Sequence, residues 1–120
     1  MRETISVFLK NLGVPDGTVG FEMLGEALEK SMGFIQQRRR INLTVLCAAL
    51  GDKYGQSSES IDRAMRRALD FVIYRSGQAP NPRMSEVMGY DCYSSVSLRS
   101  FLYAAAGWLL KHHGLQRSNG

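Results

Sequence analysis

The sequence has few of the features that mark membrane, secreted or nucleotide-binding proteins. Its longest apolar stretch, residues 102–110, is far shorter than the roughly 20 residues that a membrane-spanning helix needs. The N-terminal stretch "MRETISVFLKNLG" interrupts its apolar positions with an acid and a lysine, unlike a signal peptide. None of the 12 glycines forms a GxGxxG or GxxxxGK[ST] motif. We therefore expect a cytoplasmic protein that binds no membrane and uses no cofactor.

Cysteine and histidine are also scarce, with two of each. Cys47 and Cys92 form no CxxC motif, which favours two buried thiols over the alternative, a disulfide. His112 and His113 are adjacent, so on a helix they point about 100° apart and cannot chelate a metal as an i, i+4 pair would. A nucleophilic Cys–His pair would need Cys47, which lies on a predicted core-facing stripe with no oriented base nearby. The sequence predicts neither a metal site nor an enzyme.

What the chain has in abundance is helical periodicity. Apolar side chains recur at i, i+3, i+4 spacing along the 120 residues, and strand-like alternation is scarce. The pattern predicts one all-α domain over residues 1–120, with about six helices around one core. The first helix ends at Gly13, the second begins near Gly20, a short fifth begins at Met84 and is closed by Gly89, and the last runs over about 96–112. Their predicted core positions are Ile5, Phe8, Leu9, Leu12, Phe21, Leu24, Ala27, Leu28, Met32, Ile35, Leu98, Phe101, Leu102, Ala105 and Leu109.

The third and fourth helices form a predicted helix-turn-helix. The third runs through "INLTVLCAALGDKY". Its predicted core side is Leu46, Ala49, Leu50 and Tyr54. Gly55 can adopt the left-handed conformation that ends a helix, and Ser57 or Ser58 can cap the next one. The two helices are therefore joined by about three or four residues, which is typical of the motif.

The fourth helix, 58–75, contains the stretch "SSESIDRAMRRALDF" and is strongly amphipathic. Its predicted core side is Ile61, Ala64, Met65, Ala68, Phe71 and Val72. The opposite side carries Glu59, Asp62, Arg63, Arg66 and Asp70, with Ser60 and Arg67 on one flank. One interpretation is a solvated face stabilised by i, i+4 pairs such as Asp62 with Arg66. The other is a recognition helix whose polar side binds DNA.

The chemistry of these side chains suits DNA, and the net charge of +4 is compatible with a polyanionic partner. Arginine can donate two hydrogen bonds to O6 and N7 of guanine, and aspartate can accept from cytosine or orient an arginine. Serines and helix-start N–H groups can contact phosphate without reading sequence. The predicted DNA-binding residues are Lys53, Ser57, Ser58, Ser60, Asp62, Arg63, Arg66 and Arg67. The run Arg38–Arg40 is either a solvated helix end or a source of non-specific attraction.

The stretch "LGDKYGQSSESIDRAMRRAL" resembles the helix-turn-helix of a known family, the C-terminal effector domain of the response regulator that initiates sporulation in endospore-forming bacteria. The segments "NLGVP" and "GFEMLGEAL" are similar to its first turn and second helix, "MSEVMGY" to its fifth helix, and "RSFLYAAAGWLL" to its last. The resemblance covers nearly the whole chain. It implies a six-helix domain that binds a short promoter box as paired or tandem copies and contacts RNA polymerase.

Carried over by position, the resemblance places Asp62, Arg63, Arg66 and Arg67 in the major groove and the serines on the DNA backbone. Two features depart from the family pattern. Arg67 replaces an expected histidine, and Gly51–Asp52 replaces a more helix-favouring, more basic stretch. The family's phosphoacceptor receiver domain has no counterpart in residues 1–120, so we expect either an excised fragment or a standalone protein. A receiverless protein-interaction module that pairs with a full-length regulator or with polymerase is the alternative function.

Overall fold

The computed structural model describes residues 2–75, 79–93 and 96–113, and these ranges contain six α-helices and no strand. The helices are α1 (Arg2–Leu12), α2 (Val19–Gln36), α3 (Leu43–Tyr54), α4 (Ser58–Arg75), α5 (Pro82–Met88) and α6 (Leu98–His112). The all-α prediction is therefore confirmed.

The second helix lies at the centre of the molecule. It packs against α1, α3, α4 and α6, while α3 also packs on α4, and α5 on α6 and α1. Because α2 has neighbours on several sides, its buried positions extend around more than one face, through Met23, Leu24, Ala27 and Leu28. The largest fully buried side chains are Phe101, Ile5, Leu9, Met23, Leu24, Leu28, Leu46, Leu50, Ile61, Met65, Leu69 and Met84.

Side-chain caps fix where most of the helices begin. Thr18 accepts a hydrogen bond from the Phe21 N–H, and Asn42 and Ser97 accept equivalent bonds at the starts of α3 and α6. Asn81 caps α5 in the same way, with Pro82 in the first turn, so α5 begins two residues earlier than the predicted Met84. The last helix, by contrast, begins two residues later than the predicted position of about 96, at Leu98, just after its cap Ser97.

The predicted core is confirmed for α1 and α6, where every predicted position is buried. Two positions elsewhere were predicted wrongly, because Ala49 is exposed and Phe71 is 46% exposed. At about 100° per residue, both lie beyond one edge of the sector that their helix buries. Helix α3 buries Cys47, as predicted, and also Gly51, while α4 buries its other flank through Leu69 and Ile73.

Cys47 and Cys92 are both buried and unpaired, which confirms the prediction of two buried thiols. Among the helices of the three described ranges, none is both long enough and apolar enough to cross a bilayer.

Candidate nucleic-acid interface

The link between α3 and α4 is short and held by its own backbone. Gly55 adopts the left-handed conformation (φ 67°, ψ 36°), and its N–H donates to the carbonyl of Gly51. The N–H of Gln56 donates to the same carbonyl at 3.0 Å. Ser57 then caps α4, because its Oγ accepts a hydrogen bond from the Ser60 N–H at 3.1 Å. Residues 55–57 therefore fix α4 relative to α3, which is the connectivity that a helix-turn-helix needs.

Gly51 is a structural requirement of this link that the sequence analysis missed. It is buried, and a Cβ added to it would lie only 2.5 Å from the carbonyl oxygen of Gln56. Only a residue without a side chain lets residues 55–57 fold back this closely over α3. The available signal was a glycine in the interior of a helix, which usually has a packing reason.

Helix α4 is attached to the core by one side, and Arg63 and Arg67 lie away from that side. Ile61, Met65 and Leu69 have no exposed surface. Arg63 and Arg67 are exposed, and neither forms an ion pair with any side chain in the described part of the chain. Their guanidinium groups are therefore available to a ligand.

Arg66 is held by its neighbour one turn earlier. Its Nε lies 2.8 Å from Oδ2 of Asp62, and its side chain is 48% exposed. The hydrogen bond that Arg66 donates to Asp62 raises the pKa of Arg66 above its ordinary value, although partial burial opposes this. The predicted i, i+4 pair thus exists, but among Arg63, Arg66 and Arg67 it involves only Arg66, through its Nε.

The three serines differ in their availability. Ser57 uses its hydroxyl as the helix cap and also lies 3.1 Å from the hydroxyl of Ser60. Ser58, the first residue of α4, is exposed and lines a groove between α3 and α4. Ser58 is therefore the serine best placed to meet a ligand.

Lys53 faces α2 and is not among the residues that line this groove. Its Nζ lies 2.7 Å from Oε1 of Glu26, a carboxylate that also accepts a hydrogen bond from the Tyr54 hydroxyl at 2.9 Å. Burial favours the neutral form of Glu26, but the hydrogen bonds from Lys53 and Tyr54 outweigh it and lower the pKa of Glu26. Burial and the same carboxylate raise the pKa of Tyr54 to about 12. Lys53 thus has a structural partner on α2.

A groove of about 490 Å³, which we call the α4 groove, runs between the first turns of α3 and α4. It is lined by Leu43, Thr44, Cys47, Ser58, Glu59, Asp62, Arg63, Arg66 and Arg99. Arg99 comes from α6, and no local pattern in the sequence connects it with α4. The tertiary structure therefore adds a third arginine to two that the sequence analysis had selected.

Cys47 lines this groove without the character of a nucleophile. Burial raises the pKa of its thiol, and the charge of Asp62 raises it further. The thiol of Cys47 therefore stays protonated near neutral pH, whereas the thiolate is the reactive form.

Near the C-terminal end of α6, His112 stacks on Trp108 with ring centroids 4.2 Å apart. No cluster of three or more His, Cys, Asp or Glu side chains suited to a metal ion occurs within residues 2–75, 79–93 and 96–113.

Comparison with known proteins adds no relative: no family model, no curated protein and no solved structure matches this chain. The resemblance to the sporulation effector domain accordingly stays a prediction that depends on the quoted sequence segments.

Proposed function

We propose that this protein is a cytoplasmic, sequence-specific DNA-binding transcriptional regulator that inserts α4 into the major groove. The observation that carries the proposal is the two-sided character of α4. Its apolar side is buried, whereas Arg63 and Arg67 project outward without carboxylate partners among the described residues. A recognition helix needs this combination of firm anchoring and free hydrogen-bond donors.

The individual residues take different roles in this proposal. Arg63 and Arg66 contact base edges, because a guanidinium can donate two parallel hydrogen bonds to guanine. Asp62 orients Arg66 through the 2.8 Å contact with its Nε, which leaves the terminal nitrogens of Arg66 to meet the base. Arg67 and Ser58 contact the flanking backbone, since phosphate oxygens accept hydrogen bonds without regard to sequence. Ser57 and Ser60 contribute mainly by shaping the helix start.

The partners follow from the resemblance. We propose that two copies bind a short promoter box as a pair or in tandem, and that the bound protein contacts RNA polymerase. Lys53 enters as a secondary phosphate contact, which would require its ion pair with Glu26 to exchange for one with DNA.

The proposal is tested on the purified chain by selecting its preferred duplex from a random library and measuring binding by fluorescence anisotropy. We expect Arg63→Ala to weaken binding to the preferred duplex by about 1–3 kcal/mol and to relax discrimination at one base pair. Binding to a scrambled duplex should fall much less. Arg83→Ala is the matched control, because Arg83 is an exposed arginine on α5 that lies outside the α4 groove.

Two results would count against these assignments. Equal losses on both duplexes would make Arg63 a phosphate contact. Failure of the selection to enrich any sequence, with no binding even at low salt, would reject DNA binding itself.

The second candidate function is an interaction module that pairs with a full-length regulator or with polymerase. The observation in its favour is that Glu59 and Asp62 share the α4 groove with the arginines, so the surface carries both signs of charge. A surface with both signs of charge can also complement a protein partner that carries both signs. Absence of duplex binding at two salt concentrations, together with a stable complex with polymerase, would favour this module.

A further inference from the structure

A second groove adjoins the α4 groove and is more strongly basic. This arginine groove, of about 600 Å³, is lined by Phe34, Arg39, Arg40, Ile41, Asn42, Val45 and Arg99. Among these residues there is no carboxylate, in contrast to the α4 groove, which contains Glu59 and Asp62. Arg99 lines both grooves, so the two form one continuous surface around the start of α3.

The three arginines of this groove are available to a ligand. Arg39, Arg40 and Arg99 are exposed, and none pairs with a carboxylate within the described ranges. The guanidinium of Arg39 lies 5.5 Å from the ring centroid of Phe34, which steadies it without neutralising its charge. Three uncompensated positive charges therefore face solvent together.

The backbone that carries Arg39 and Arg40 is firmly held. The N–H of Arg38 donates to the Ile35 carbonyl at 2.9 Å, and the N–H of Arg39 donates to the Phe34 carbonyl at 2.8 Å, a pair of bonds that closes the end of α2. Beyond them, the N–H of Ile41 donates to the hydroxyl of Tyr103 at 2.9 Å, which ties the segment to α6. The groove is therefore preorganised between α2, α3 and α6.

We propose that the arginine groove binds the sugar–phosphate backbone of the DNA duplex alongside the major groove that α4 enters, with Arg99 contacting phosphate at the junction. The inference rests on the proposed function and deepens it by extending the interface beyond α4. Arginine pairs well with phosphate because its fork of N–H groups matches two phosphate oxygens. A groove with arginines and no carboxylate suits an evenly charged backbone, whereas the mixed-charge α4 groove suits base edges with both donors and acceptors.

The test compares Arg99→Ala and the double variant Arg39→Ala/Arg40→Ala with Arg83→Ala, using anisotropy on the selected and the scrambled duplex over a series of salt concentrations. We expect Arg99→Ala to weaken binding to both duplexes by the same factor, about threefold to tenfold. The slope of log affinity against log salt should become shallower by about 1, and by about 2 for the double variant. Unchanged thermal melting by circular dichroism verifies that each variant is folded.

The possible outcomes separate this inference from the proposed function. If Arg63→Ala impairs selective binding but Arg99→Ala and the double variant behave like Arg83→Ala, the arginine groove is not on the DNA and the inference fails alone. A loss confined to the selected duplex would make Arg99 a base contact, which also overturns it. If the unmodified chain binds neither duplex, both proposals fail. Binding of an acidic protein by the arginine groove would then explain its charge.

Discussion

Asp62 holds Arg66 by its Nε, with 2.8 Å between Nε and Oδ2 one helical turn apart. Arg66 lines the α4 groove together with Arg63 and Arg99. If α4 binds DNA as proposed, this carboxylate would have two effects: it would orient one arginine, and it would repel phosphate.

Asp62→Asn separates those two effects. We expect stronger binding to a scrambled duplex, because a negative charge is lost, but a smaller ratio of selected to scrambled affinity, because a neutral amide oxygen holds Arg66 more weakly than a carboxylate does. The loss of the i, i+4 pair should lower the free energy of unfolding by only about 0.3–0.5 kcal/mol. Asp70→Asn is the control, since it removes the same charge from the same helix without breaking an ion pair seen among the described residues. Identical behaviour of the two variants would show that Asp62 positions nothing.

Gly51→Ala should destabilise the protein even though alanine is the better helix former. Its Cβ would lie 2.5 Å from the Gln56 carbonyl oxygen, so the backbone of the link must move. We expect a loss of about 1–3 kcal/mol in the free energy of unfolding, measured by urea denaturation. Gly107→Ala provides the contrast, because nothing lies within 4 Å of the added Cβ in α6. That variant should gain up to about 1 kcal/mol, and equal effects of the two changes would contradict the close approach at Gly51.

Glu26→Gln should destabilise the protein in a pH-dependent way. The pKa of Glu26 is lowered from its ordinary 4.5 on folding, so its ionised form contributes stability above that value and loses it as the pH falls through the lowered pKa. We expect the variant to unfold more easily by about 1–3 kcal/mol at pH 7 and the difference to shrink in acid. Urea denaturation across the acidic range measures this.

The matched control for this charge is Glu29→Gln. Glu29 has a 45% exposed side chain and meets Arg2 at 3.4 Å, a surface pair that contributes about 0–1 kcal/mol. A Glu26→Gln difference that stayed constant with pH would show that the interaction of Glu26 with Lys53 and Tyr54 does not depend on its charge.

Arg38→Gly should stabilise the protein by up to about 1 kcal/mol. Arg38 has φ 60°, a left-handed conformation that costs a side-chain-bearing residue about 1–2 kcal/mol and that glycine adopts freely. The gain is partly offset by the larger entropy of the unfolded glycine chain. Arg40→Gly removes the same charge at a position without positive φ and should be neutral or destabilising. Thermal melting distinguishes the two, and a lower melting temperature for Arg38→Gly would refute the strain at this site.

Much of the fold could be predicted because its local signals agree with one another. Apolar spacing located α1 and α6 and all their predicted core positions, while Gly55 and Ser57 predicted the break between α3 and α4. The errors at Ala49 and Phe71 arose because periodicity indicates an apolar side without indicating which neighbours cover it. Burial at the edge of a helix depends on where the adjacent helices cross.

The candidate site also combines residues that local sequence patterns predict with residues that only the packing of the helices brings together. Arg63, Arg66 and Arg67 of α4 were predictable, since the helix wheel places Arg63 and Arg66 opposite the apolar residues and Arg67 on one flank. Arg99 was not, because it is far from α4 in the chain and only the packing of α6 brings it to the same groove. The requirement for glycine at position 51 and the ion pair between Lys53 and Glu26 also depend on contacts between elements.

The sequence by itself determined which segments are helical and, apart from Phe71, which side of α4 is buried, because spacing and capping act over three or four residues. Only the tertiary structure decided that arginines from the α2–α3 link, α4 and α6 meet around the start of α3. Their charges are set by the chain, but their proximity depends on the burial of apolar surface elsewhere, which fixes how the helices cross.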